Sequence, residues 1–441
     1  MRRERGSVFV YCLVVLVAMI GVLAAVASTE HLDVKAAANR KEAIKARMAC
    51  MSGIQRYIAT IANDLAGGGA TSTSGTSTST STIAQTTGAT TQQDDWAQLG
   101  SNGDENVIVG DTHFRMQVVD ACSLINLTKL NTTWLNNLPL SQQQIDAYND
   151  YVSAGENATA DGGKDPYYNG LTNPYNAKLA GLDTLDELLN IRYFNAGAIW
   201  QPNTNIVSTI TFTAGQNGQQ PTLYDLVTPY SYSPNVQPGP LGQQQPRIPI
   251  STGPPTPLTQ AIVNRLEAAG LTTQAGRNLV NRTFTSLGQM VNAVPSLPDK
   301  KVIIDSCTFS GGTRIAGLIN LNTASQNVLS TLPGITPNLA QALVTQQQTG
   351  YTRLSDVLNV AGYNGAALTS SIDFLCVESS TFIVRVIGFC GDTSVAMEAT
   401  VDIINNTPRL TRLQDVPFTD VVGRWNWNST SSTDTTLKEA S

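Results

Sequence analysis

His31 and His113 are the only histidines in 441 residues. Neither belongs to a pattern that organises catalysis. The chain has no Gly-x-Ser-x-Gly elbow, Walker loop, dinucleotide fingerprint or CxxC pair to supply a nucleophile, a phosphate cradle or a zinc site. His31 abuts a long apolar run and His113 opens an alternating strand pattern, so both read as plain surface or edge residues. The expectation is a protein that is not an enzyme. Glu156, Asp161 and Asp165 gather oxygen ligands on a glycine-rich loop, but their spacing matches no EF-hand and a solvated acidic loop is the plainer reading. Of six cysteines, Cys12 lies in the apolar run, leaving Cys50, Cys122, Cys307, Cys376 and Cys390, an odd number that leaves one thiol unpaired in any compartment.

Composition narrows the class further. Only 14% of residues are charged and the net charge is −6, while Ser, Thr, Asn, Gln and Gly supply the polar surface, which does not suit phosphate binding. At 441 residues the chain has length for two to four units outside any membrane.

The first thirty residues carry the sharpest pattern. Arg2, Arg3 and Arg5 against the single Glu4 precede an uncharged run from Gly6 to Thr29, long enough to cross a bilayer core of about 30 Å. The excess of arginine places the N-terminus in the cytoplasm and everything after Glu30 outside it. A cleaved signal peptide is the competing reading, because Ala25-Val26-Ala27 resembles a small-residue cleavage site. Against it, the apolar run exceeds the usual h-region, and helical pattern continues through the site. Ile44, Met48, Met51, Ile54, Ile58, Ile61 and Leu65 recur at steps of three and four among Lys35, Arg40, Lys41, Glu42, Lys45 and Arg47. With no proline before Gly67-Gly68-Gly69, one helix over 7–65 would reach on the order of 85–90 Å.

From Gly67 to Gln93 the chain is Ser, Thr, Gly and Ala without charge, a composition that buries too little surface to order itself. Strand pattern follows at Phe114, Met116 and Val118 after the Gly110-Asp111 turn. It returns at Phe382, Val384 and Val386, then at Val395, Met397, Ala399, Val401 and Ile403 across the Gly391-Asp392 turn. Between the two strand regions the pattern is helical and repetitive. Leu182-Asp-Thr-Leu-Asp-Glu-Leu-Leu-Asn-Ile191, Phe284-Thr-Ser-Leu-Gly-Gln-Met-Val-Asn-Ala293 and Tyr351-Thr-Arg-Leu-Ser-Asp-Val-Leu-Asn-Val360 align without gaps, and Leu124-Ile-Asn-Leu127 matches Leu318-Ile-Asn-Leu321. Leu332-Pro-Gly-Ile335 resembles the hairpin of a helix-hairpin-helix.

Arginines, then Gly6, then an unbroken apolar helix resemble the type III leader of type IV pilins and type II secretion pseudopilins. Most pilins carry a glutamate four residues into the mature chain. This one has Tyr11 there, as is typical of the minor pseudopilins of the type II secretion protein K family. The long helix, the Val118-Val-Asp-Ala-Cys-Ser-Leu-Ile-Asn-Leu127 exit, Leu138-Pro-Leu140, Asp165-Pro-Tyr-Tyr168 and the returning hairpin are similar to that family over nearly the whole chain after the linker.

The resemblance implies an α+β, pilin-like fold: a long N-terminal helix and a small antiparallel sheet, with a large insert of helix-hairpin-helix or SAM-like units. The division expected is a leader (1–6), the helix (7–65), a linker (66–95), first strands (96–122), a first helical unit (123–205), a Pro/Gln/Gly-rich connection (206–255), a second unit (256–300), a strand with a third unit (301–370), returning strands (371–425) and a disordered tail (426–441). It also implies cleavage by prepilin peptidase between Gly6 and Ser7, N-methylation of Ser7, and a single-pass anchor in the inner membrane with a periplasmic or extracellular body. The partners implied are membrane lipid, inner-membrane secretion components and other minor pseudopilins, met along an assembly helix that includes Tyr11, Ile44, Met48, Met51, Ile58 and Leu65. The family's helical domain can hold calcium, which makes Glu156, Asp161 and Asp165 the candidate ligands. Since the two ends of an inserted domain lie close together, Cys122 and Cys376 are the expected disulfide pair, the alternative being five unpaired thiols. A fragment over 94–422 is expected to be soluble and folded.

Two other readings stand beside this one, a type IV pilus tip subunit and a membrane-tethered DNA receptor of the competence type. The second would use the hairpin amides to meet phosphate, but Arg353 and Asp356 are the only charges between Leu332 and Gly365.

Intact mass measures the leader directly. Cleavage by prepilin peptidase gives a chain that starts at Ser7 with one added methyl group, and Gly6→Ala blocks it by placing a Cβ at the scissile bond. An N-terminus at Ser28 would establish an ordinary signal peptide.

Overall fold

Helix α1 runs from Ser7 to Leu65, 59 residues in which no proline interrupts the backbone ladder. The computed structural model describes residues 7–65, 88–155, 157–215, 218, 220–238, 244–251, 253–416, 425, 427 and 433–436; Gly6 and most of the expected linker lie outside them. The helix is long and apolar enough to cross a membrane, and residues 9–41 stand clear of the rest of the chain. Further on, Ala46, Ala49, Cys50, Gly53, Ile54, Tyr57 and Ile61 are buried at steps of three and four, one face of a helix with 3.6 residues per turn.

That face covers a sheet. Strands β1 (Glu105–Val109), β2 (Thr112–Asp120), β3 (Thr381–Cys390), β4 (Thr393–Ile404) and β5 (Thr407–Val416) pair antiparallel, and β6 (Thr433–Thr436) adds a parallel edge beside β1, in the order β5-β4-β3-β2-β1-β6. Val386 lies opposite Met116 on one side and Met397 on the other, so the alternation expected at Phe114, Met116 and Val118 faces α1. A side chain such as Ile54, removed from water here, contributes about 1.5–3 kcal/mol. Strand β5 has no clean alternation and carries two arginines and an aspartate, so its sequence did not mark it as a strand. The tail differs from expectation as well. Thr433–Thr436 is a strand rather than disordered, because β-branched residues there can pair with the open backbone edge of β1.

Between β2 and β3 lies the helical insert, whose side chains merge into one core that includes Trp134, Leu188, Met290, Ile304, Leu329 and Leu343. The three aligned segments fold alike: Leu185–Asn190 and Leu354–Asn359 are six-residue 3-10 turns, and Leu287–Asn292 is an α-helix at the same alignment positions. Ile125–Asn126 and Ile319–Asn320 each form a two-residue parallel bridge, to Val227–Thr228 and Leu375–Cys376. The architecture is the α+β arrangement expected, with a long helix, an antiparallel sheet and a helical insert.

Because α1 supplies one wall of the sheet's core, a 94–422 fragment would expose Phe114, Met116, Val384 and Val386 to water. The structure therefore sets the start of a foldable body within α1. Helix and sheet approach closely at Gly388, where a Cβ would fall 2.0 Å from the carbonyl oxygen of Ala46. Gly388→Ala is expected to cost about 2–3 kcal/mol, read as a lower denaturation midpoint of the body carrying the second half of α1.

Candidate assembly surface

The sequence placed one apolar stripe along α1, and the fold divides it. Ile54 and Ile61 are buried, Met51 and Ile58 are partly buried against the chain's own sheet, and Leu65 is 37% exposed. Ile44 and Met48 are left at 62% and 65% exposure, on the flank of the docked face. The centre of the stripe is thus occupied by the chain's own sheet, and Ile44, Met48 and Leu65 are its outward-facing members. Tyr11, at 71% exposure, sits on the apolar stretch with none of the described residues packed over it, and Ser7 is the first residue of the helix.

Three polar contacts set how α1 sits. Lys45 pairs with Asp111 at the β1–β2 turn, Thr393 Oγ1 donates to Glu42 Oε2 at 3.0 Å beside the β3–β4 turn, and Arg47 Nη1 donates to Asp415 Oδ2 at 2.8 Å on β5. Hydrogen bonding to Lys45 holds the Asp111 carboxyl below the ordinary carboxylate value. Exposed pairs of this kind add little stability. They fix the rotation of the helix, and so which side of it faces outward.

Two buried carboxylates join the insert to the sheet, and neither stood out in the sequence. Asp120, at the end of β2, accepts from Cys122 N at 2.8 Å, Asn320 Nδ2 at 2.9 Å, Thr323 Oγ1 at 2.6 Å and Ser379 Oγ at 2.7 Å. Burial pushes its carboxyl up, and these donors oppose the shift. Asp402 on β4 pairs with Arg314 and accepts from Thr381 Oγ1 at 2.6 Å and from Tyr230 OH at 2.5 Å. A sequence signal existed only at Asp120, which ends an alternating strand at a core position.

The candidate calcium ligands are only partly described. Glu156 lies outside the described residues, Asp165 Oδ1 accepts from Ala177 N at 2.8 Å, and no group of three or more His, Cys, Asp or Glu among the described residues has the arrangement of a metal site. The cation held in this loop is the chain's own. Lys164 Nζ is buried and donates to the carbonyl oxygens of Asp150 at 2.5 Å and Ser153 at 2.6 Å. Cys122 and Cys376, the expected disulfide pair, are both buried at the neck of the insert and are not joined in this structure.

In the third helical unit Gly334 has φ +80°, and a Cβ there would meet the carbonyl oxygen of Ala366 at 3.1 Å. The hairpin thus packs onto helix Gly365–Ser371. Asp356 Oδ2 is taken up by Thr352 N, Thr352 Oγ1 and Arg353 N. On the far face of the sheet a cleft of about 880 Å³ opens against the insert, lined by Leu189, Trp200, Tyr224, Tyr230, Arg385 and Glu398 among others. Its guanidinium is engaged: Arg385 Nε lies 3.4 Å from Glu398 Oε2 and its Nη2 3.2 Å from Tyr224 OH.

These features define an α+β protein with a helix that is half exposed and half core, and a helical insert tied to its sheet by buried carboxylates. Residues 315–376 match the helix-hairpin-helix motif family. No curated protein matches the chain. Among solved structures it is similar to the GspK-GspI-GspJ complex of the type 2 secretion system of enterotoxigenic Escherichia coli, at 12% identity and a TM-score of 0.40, over 84% of this chain and 96% of that one.

The divided stripe separates folding from assembly. Ile58→Glu places a charge against the sheet core and is expected to cost about 2–4 kcal/mol, whereas Ile44→Glu and Met48→Glu leave the melting temperature within about 1–2 °C of the parent.

Proposed function

We propose that the chain is a minor pseudopilin of the protein K kind in a type II secretion system, with a binding and geometric role and no catalytic one. The observation that carries this is the state of α1: its apolar first half has no partner among the described residues, while its second half is inseparable from the sheet. Such a helix is suited to stand in a bilayer and then to bundle with similar helices. On this reading the leader is removed at Gly6, Ser7 is methylated, and the body is carried on the periplasmic face of the inner membrane.

The position proposed is the tip of the filament. An insert between β2 and β3 widens the body at the end of a single helix, which would hinder a further subunit from stacking above it. Tyr11 agrees with this placement. In an apolar helix bundle an isolated carboxylate is costly unless paired, and in pilins the glutamate at this position is paired with a neighbour's free amino group. A subunit without it gives up one contact, yet its own amino group can still meet a carboxylate elsewhere. A type IV pilus tip subunit would use the same features in another system.

A DNA receptor is the second reading, favoured by the helix-hairpin-helix match over residues 315–376. Two observations count against it: the close seating of the hairpin on Gly365–Ser371 and the near absence of charge from Leu332 to Gly365. Affinity for DNA comes chiefly from Lys and Arg neutralising phosphates.

One set of measurements tests both readings. Co-purification with co-expressed minor pseudopilins should be lost in Ile44→Glu and Met48→Glu and retained in Tyr11→Glu, with gel shifts of the body negative at low and moderate salt. Retained co-purification in both flank variants would reduce α1 to an anchor. A salt-sensitive gel shift would instead establish the DNA receptor.

A further inference from the structure

Where the insert leaves and rejoins the sheet, two thiols meet. Cys122 lies in the 3-10 turn Ala121–Ser123 just after β2, and Cys376 closes the short strand Leu375–Cys376 just before β3. They are 0% and 2% exposed and share a small cluster with Leu318. The Cys122 thiol donates to the carbonyl oxygen of Tyr232 at 3.3 Å and packs against the Cys376 side chain. The backbone on both sides is held in place independently of the sulfurs. Cys122 N donates to Asp120 Oδ1 at 2.8 Å, and Leu321 N donates to the carbonyl oxygen of Cys376 at 2.9 Å. Cys376 is also in register with Asn320, whose side chain reaches the same Asp120 at 2.9 Å. One carboxylate therefore organises the surroundings of both thiols. Cys50 and Cys307 belong to other clusters, beneath α1 and inside the insert.

We propose that Cys122 and Cys376 form a disulfide in the mature protein, a staple that closes the neck of the helical insert. The inference rests on the extracytoplasmic placement of the body proposed above, because that compartment can supply an oxidant. The oxidant is a thiol-disulfide exchange protein in its disulfide form. One cysteine, as thiolate, attacks a sulfur of that disulfide and forms a mixed disulfide; the second displaces the oxidant's sulfur and completes the S–S bond. Two electrons and the two thiol protons pass to the oxidant, which leaves as a dithiol. The neighbouring Cys376 thiol and burial hold the Cys122 thiol well above its ordinary value, so it exchanges poorly once the neck is closed. Exchange therefore belongs to folding after export, and the closed neck afterwards shields the bond from reductant. The bridge ties off a loop of roughly 250 residues and acts mainly by constraining the unfolded chain.

Because the staple joins the two ends of the insert, it has a purpose that other pairings of these cysteines would lack. Pulling on the insert, as a load at a filament tip would, is resisted at the neck by a covalent bond and not by Asp120 alone.

The test uses the full chain extracted from membranes in detergent, denatured without reductant, alkylated and digested. A cross-linked peptide joining Cys122 to Cys376, with the other four cysteines alkylated, is expected, and reductant should lower the apparent melting temperature on the order of 5 °C. Cys122→Ser should leave Cys376 fully alkylated. Pairing of either cysteine with a different one overturns the proposal. So does alkylation of both in the extracted protein and again after refolding with glutathione disulfide. If the cross-link forms only on refolding with glutathione disulfide, the pairing stands and the failure falls on the compartment assigned to the body.

Discussion

One face of the sheet is covered chiefly by α1, with Trp96 beside it, and the rest of the molecule follows from that constraint. Phe114, Met116, Val384 and Val386 would lie against water without Ile54, Tyr57 and Ile61 above them, so the second half of the helix cannot leave the body. The helix is continuous through Leu65, so its first half is carried outward from the body. Anchor and fold thus share one element. The contact is close enough to require glycine at position 388, where β3 approaches the carbonyl oxygen of Ala46.

The opposite face answers to a different requirement. Joining 260 or so residues of helical insert to two neighbouring strands brings polar chain ends into a dry neck, and buried backbone and side-chain donors must find acceptors there. Asp120 and Asp402 supply them, each from a strand of the sheet to residues of the insert. A carboxylate placed in this way is costly to bury and expensive to leave unpaired, so each one specifies a single arrangement of the neck. The same crowding brings Cys122 beside Cys376.

Function, on the reading proposed, divides along these lines. Exposed apolar residues on the first half of α1 meet lipid or other helices, Ile44 and Met48 extend that surface onto the flank of the body, and the insert adds bulk beside it. The Lys45, Arg47 and Glu42 contacts matter for orientation, because rotating α1 by one residue would turn this flank by about 100°.

Much of this was legible from residue order alone. The unbroken apolar run, the alternation of Phe114, Met116 and Val118, and the repeated ten-residue segments are local periodicities, and each became the element its period implies. Tertiary structure decided what no local period records. Which side of α1 is buried depends on Ala46 meeting Gly388, and Gly53 meeting Val386, across more than 300 residues of chain, so a stripe chosen by hydrophobicity alone included Ile44 and Met48, which stay exposed, and omitted Tyr57, which does not. The acidic loop drew attention by charge, yet its carbonyls close around Lys164, a lysine indistinguishable in sequence from a surface one. Asp120 and Asp402 read as ordinary strand residues until the insert folds back on them. Periodicity is a property of neighbours along the chain, whereas packing, buried charge and thiol proximity depend on neighbours in space.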